Sequence, residues 1–94
     1  MFIVSLTYIK PLEEVEKHLE AHVEYLKKQY TADSFIASGR KVPRTGGVIL
    51  SKLKDRDTLE KILEKDPFKT HRIADYEIIE FIPTMMGKGY ENLR

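Results

Sequence analysis

The sequence predicts an α+β domain: an antiparallel sheet of four strands with two helices packed on one face. Three observations predict it. Phe2, Val4, Leu6 and Tyr8 alternate with polar residues, and Tyr76 and Ile78 alternate against Ile79 and Phe81, which is the period of a strand. Two stretches between them carry apolar residues at spacings of three and four, the period of an amphipathic helix. The elements follow in the order strand, helix, strand, strand, helix, strand, which is the split β-α-β plan. At 94 residues the chain is expected to be a single domain, 1–94, with 83–94 as an irregular C-terminal tail.

The first strand is expected over residues 2–8, with Ser5 and Thr7 opposite the apolar set and Ile3 and Ile9 adding apolar weight to that second face. Pro11 suits a first helical turn, where its missing N–H is not needed. Glu13, Glu14 and Glu16 complement the positive end of that helix. The helix is expected over 11–30, and its inner stripe is Leu12, Val15, Leu19, His22 and Leu26. A histidine in such a stripe is partly buried and needs a hydrogen-bond partner. Thr31-Ala32-Asp33-Ser34 reads as a turn.

The second strand is expected over 35–42, where Ala37, Ser38 and Gly39 are small enough for a backbone or ligand to approach closely. Pro43-Arg44-Thr45-Gly46-Gly47 reads as a loop whose glycines can take positive φ. The third strand is expected over 48–53, with both faces buried at its start. Asp55 or Asp57 caps the second helix, which turns Leu59, Ile62 and Leu63 inward. The last strand is expected over 74–82.

Asp66 stands before Pro67, where the chain is pushed out of the helical conformation. One helix therefore stops there, and Asp66 is placed to cap the next turn, with Phe68 as a core plug. In the split plan both helices lie on one sheet face, so Asp66 can approach His22. A carboxylate accepting a proton from one imidazole nitrogen orients the ring and leaves the other nitrogen free for proton transfer. The same pair also reads as a buried histidine satisfied for structure alone. His71 is an alternative partner.

Lys+Arg 16 against Asp+Glu 15 gives a net charge of +1, which supports neither a nucleic-acid nor an anionic-membrane partner. There is no cysteine, hence no disulfide framework or thiolate nucleophile, and a cytoplasmic location is expected from this and from the strand-like N-terminus. His18 and His22 stand at helical i and i+4, but Leu19 occupies the place where the zinc-protease pattern needs Glu, so no metal is assigned. No cofactor is assigned either. Ser38-Gly39-Arg40 and Arg44-Thr45-Gly46-Gly47 offer guanidinium and backbone N–H groups to an anionic ligand. They also read as tight strand connections with surface charge. Because two helices cover one sheet face while the strands are apolar on both, a homodimer through the open sheet face is expected.

Ala21-His22-Val23-Glu24-Tyr25-Leu26, Phe35-Ile36-Ala37-Ser38-Gly39, Pro43-Arg44-Thr45-Gly46-Gly47-Val48-Ile49 and Asp66-Pro67-Phe68, taken in order, resemble the YciI-like (YCII-related) family. The resemblance spans nearly the whole chain. It implies a ferredoxin-like fold of the dimeric α/β-barrel superfamily, with His22 and Asp66 as the catalytic pair. It also implies a lyase or isomerase, similar to a dehydrochlorinase or a muconolactone isomerase, acting by proton abstraction on a small anionic or aromatic molecule. Gly39-Arg40 departs from the family's frequent Gly-Pro and alters the expected pocket mouth. Tyr8, Ser38, Arg40 and Phe68 are the expected ligand-binding walls. The alternative is a non-catalytic ligand-binding or accessory module.

Overall fold

β1 (Phe2–Tyr8) lies between two neighbours, and its composition suits that place. It pairs antiparallel with β3 (Gly46–Ser51) on one side and with β4 (Ala74–Glu80) on the other. The edge strand β2 (Ala37–Arg40) completes the order β2-β3-β1-β4. Phe2, Val4 and Leu6 face the helices and are buried. Removing side chains of this size from water stabilises the fold by roughly 1.5–3 kcal/mol each. Their register aligns Val4 with Ile49 and Ile78, and Leu6 with Gly47 and Tyr76. This computed structural model describes residues 1–93. The α+β, ferredoxin-like architecture expected from the sequence is the one observed.

Three helices pack on that face: α1 (Leu12–Thr31), α2 (Arg56–Leu63) and the single turn α3 (Pro67–Thr70). Pro11 stands at the N-cap of α1 in an extended conformation, and no side chain caps this end. Asp55, the first of the two expected candidates, caps α2 by accepting from Thr58 N at 3.2 Å and Thr58 Oγ1 at 2.6 Å. The inner stripe of α1 differs from expectation at two positions. Leu12 is 47% exposed, and Tyr25 is buried instead. Leu12 is the first residue of the helix, where no later turn of the stripe has yet met the sheet.

Strand boundaries shift for identifiable reasons. β2 is shorter than expected because Phe35 turns into the core before the strand begins. β3 begins two residues early, taking in both glycines of the presumed loop. Neither Gly46 nor Gly47 has positive φ. They are required for close approach instead: a Cβ on Gly46 would stand 1.8 Å from the Leu6 carbonyl oxygen, and one on Gly47 3.0 Å from that of Gly39. β4 stops at Glu80, although Phe81 N still donates to the Met1 carbonyl at 2.9 Å.

The opposite face carries Ile3, Ser5, Val48, Leu50, Glu77 and Ile79 by register, and no helix covers it. Ile79 is 46% exposed there. Beyond β4 the chain has little regular structure apart from a short 3-10 turn, Glu91–Leu93. The final residue of the expected tail, Arg94, lies outside the described residues. Among the described residues no helix is long and apolar enough to cross a membrane.

Candidate active site

The site starts from a local rule. Pro67 holds Asp66 in an extended conformation, φ −68° and ψ 125°, and Pro67 itself opens α3. So placed, Asp66 Oδ1 accepts from the Phe68 N–H at 3.0 Å and caps the turn. The side chain is fully buried. A buried carboxylate must be matched by donors, and two more reach it from distant parts of the chain. His22 Nδ1 donates to the same oxygen at 2.7 Å. Tyr76 Oη donates to Oδ2 at 2.5 Å.

These bonds fix the imidazole. Asp66 offers only acceptors when ionised, so the Nδ1 proton is held on His22 and Nε2 keeps a lone pair. The ring lies parallel to Phe68, with centroids 3.9 Å apart and an interplanar angle of 0°. Among the described residues no buried side-chain nitrogen or oxygen lacks a partner, and Asp66 is the only hydrogen-bond partner of His22. Nε2 is therefore accessible. The opening is a cavity of about 250 Å³ between α1 and the strands, with His22 in its wall. Burial, and after it the Asp66 carboxylate, pushes the phenols of Tyr25 and Tyr76 well above the ordinary tyrosine range. Both stay neutral donors at physiological pH.

Tyr8, Ser38, Arg40 and Phe68 also line this cavity. Phe68 is both the platform under His22 and the edge that Tyr8 meets, at 6.0 Å between centroids and 85° between planes. Arg40 has no ion-pair partner among the described residues. Arg44, offered with it as an anion-binding group, is committed to Glu16 at 2.7 Å. The glycines beside it are sheet residues, so that loop is no anion cradle. The Ser38 hydroxyl bonds Tyr30 Oη at 2.5 Å rather than His22. His18 and His22 serve different partners: His18 stacks on exposed His71, with centroids 4.3 Å apart. His71 does not replace His22 on Asp66.

Tyr76 is the residue that sequence reasoning missed. It was legible only as an inward position of the last strand. A phenol alternating with Ile78 on a core-facing side must find an acceptor, and the buried Asp66 is that acceptor. Tyr25 was missed as a core residue; its hydroxyl donates to the Ile62 carbonyl at 2.8 Å.

The fold and site together define a small ferredoxin-like α+β domain with a buried histidine–carboxylate pair beside a compact cavity. The chain belongs to the YCII-related domain family, whose model matches residues 1–82. It is similar in structure to the 5-chloro-2-hydroxyhydroquinone dehydrochlorinase TftG from Burkholderia phenoliruptrix AC1100, solved with 2,5-dihydroxybenzoquinone. The TM-score is 0.71 at 16% identity, over 87% of this chain and 94% of that one. No curated protein sequence matches the chain.

Proposed function

We propose that the cavity is an active site in which His22 is the general base and acid and Asp66 its orienting carboxylate. The observation that carries this reading is the 2.7 Å contact of His22 Nδ1 with the buried Asp66 carboxylate, which engages Nδ1 and leaves Nε2 as the free nitrogen of a cavity-lining histidine. Nε2 takes a proton from a carbon or oxygen acidified by a neighbouring carbonyl. The electron pair left behind forms a double bond. It either expels a leaving group with its own pair, an elimination, or the proton returns at another atom, an isomerisation. Asp66 stabilises the imidazolium formed in between. Proton transfer of this kind contributes about 10²–10⁴-fold, which suits an already activated substrate.

The cavity volume suits a molecule of one ring. Its apolar walls favour an aromatic or quinonoid plane, and Arg40, which has no ion-pair partner among the described residues, favours an anionic substituent. The dehydrochlorinase neighbour supports trying chlorinated hydroxyhydroquinones first. The open sheet face, with Ile3, Val48, Leu50 and Ile79, supports a homodimer that stacks sheet on sheet. Sedimentation at micromolar concentration tests that part, and a monomer would overturn it.

The direct test is a turnover screen of chlorinated hydroxyhydroquinones and small enolisable acids, with His22→Ala as comparison. The expected result is turnover lost in a variant that keeps its circular dichroism spectrum. Unchanged turnover in His22→Ala refutes the assignment. A second reading, a binding module without turnover, is favoured by one observation: all three donors to Asp66 come from the fold's own packing, as a purely structural pair requires. It predicts saturable binding of the same compounds with no product.

A further inference from the structure

We infer that Tyr76 is a positioning residue for the His22–Asp66 pair, its hydroxyl fixing which carboxylate oxygen faces the imidazole and how strongly that oxygen holds the Nδ1 proton. This rests on the acid/base reading only for its catalytic consequence; the geometric part stands without it. A carboxylate on one flexible bond can rotate or exchange its oxygens. Here each oxygen has its own donor from a separate element. Phe68 N–H, in α3, holds Oδ1. Tyr76, on β4, holds Oδ2. His22, on α1, completes Oδ1. The sheet thus reaches through Asp66 to the ring on the opposite layer, and Tyr76 is the sheet's contribution.

Two features make Tyr76 suited to this task. Its register opposite Leu6 ties its position to the central strand β1, whose own side chains are buried against the helices. Lys69 Nζ stands 5.5 Å from its ring centroid, a cation attracted to the π face. A hydrogen bond to a charged acceptor lowers the acceptor's basicity, and a less basic Asp66 stabilises the His22 imidazolium less. Tyr76 therefore tunes His22 as well as holding Asp66. The other charged or titratable groups around His22 are His18 one turn earlier on α1, Tyr25 with ring centroids 6.4 Å away, and Tyr8 and Arg40 in the cavity wall. None of these four donates to Asp66.

The test reads His22 directly, by titration of its ¹⁵N imidazole resonances in the whole protein. Tyr76→Phe removes the hydroxyl and keeps the ring. The His22 midpoint is expected to rise by about half a unit or more, roughly a threefold or larger gain in proton affinity. Incorporation of 3-fluorotyrosine at position 76, a more acidic phenol, is expected to move the midpoint down. It supplies the answer even if Tyr76→Phe does not fold. In an Asp66→Asn background the Tyr76→Phe shift is expected to vanish, because the effect passes through the carboxylate. Tyr25→Phe, which loses a hydroxyl bonded elsewhere, leaves the midpoint in place. An unchanged midpoint in both position-76 proteins overturns the inference, as does an equal shift in the Asp66→Asn background. Because none of these readouts needs a substrate, absence of turnover would refute the proposed function without touching this result.

Discussion

Asp66→Asn is the substitution whose outcome the bond geometry determines most closely. The carboxylate accepts from three donors: Phe68 N, His22 Nδ1 and Tyr76 Oη. An asparagine amide has one accepting oxygen and an NH₂ group that only donates. The Phe68 N–H is backbone and cannot change sign, so the amide oxygen must take the place of Oδ1. In that orientation it also still accepts from His22 Nδ1. The NH₂ then faces Tyr76, whose hydroxyl can rotate and accept instead of donating. Every partner is kept, while three charge-assisted bonds become neutral ones, a loss of roughly 1 kcal/mol each. Relief from burying a full charge offsets part of that. The expected net loss is about 1–3 kcal/mol at pH 7. Asp66→Ala, by contrast, leaves three buried donors without acceptors and is expected to lose about 3–5 kcal/mol. Urea unfolding followed by circular dichroism measures both, with an unchanged slope as the check that only stability has moved. The imidazole ¹⁵N spectrum of Asp66→Asn should retain the Nδ1-protonated tautomer. Equal destabilisation by Asn and Ala, or a tautomer moved to Nε2, would falsify this reasoning.

Three further outcomes are expected. Gly46→Ala should lose at least about 2 kcal/mol in the same assay or fail to fold, since its Cβ would meet the Leu6 carbonyl at 1.8 Å and backbone must move. Phe68→Ala removes a fully buried ring and the plate beneath His22; about 3–5 kcal/mol should be lost, and the His22 resonances should show ring averaging on the NMR timescale. Alkaline pH should weaken the fold in a defined window. The Tyr25 and Tyr76 phenols titrate higher in the folded chain than in the unfolded one, so their contribution is intact below about pH 10 and is lost as pH rises beyond it. Each steepens the fall by up to about 1.4 kcal/mol per pH unit, and a Tyr25→Phe variant should show a shallower alkaline limb in pH-dependent unfolding.

The elements of the fold were legible because each rests on local chemistry. Alternation in 2–8, the three-and-four spacing through Val15, Leu19, His22 and Leu26, and the Asp-Pro step at 66–67 are rules that act within a few residues. The glycines at 46 and 47 show where such rules stop. A Gly-Gly pair reads as a turn, and only the register against Leu6 reveals that the backbones themselves need the room. Arg44 likewise read as a free cation until the packing of its loop against α1 brought Glu16 to it.

The histidine–aspartate pair lies on both sides of this division. A histidine in an apolar stripe and an aspartate before proline were each conspicuous in the sequence, because a polar group in either place demands a partner. That His22 and Asp66 each needed a partner follows from their places in the chain, and the split plan puts their helices on the same face. The geometry of the meeting comes from the packed fold: two residues 44 apart in sequence meet at 2.7 Å, Phe68 lies flat beneath the ring, and Tyr76 comes from the sheet to claim the second oxygen. The reason is physical. Burial creates the demand for hydrogen bonds at each residue separately, but how three elements of structure meet around one carboxylate depends on packing that no local pattern encodes.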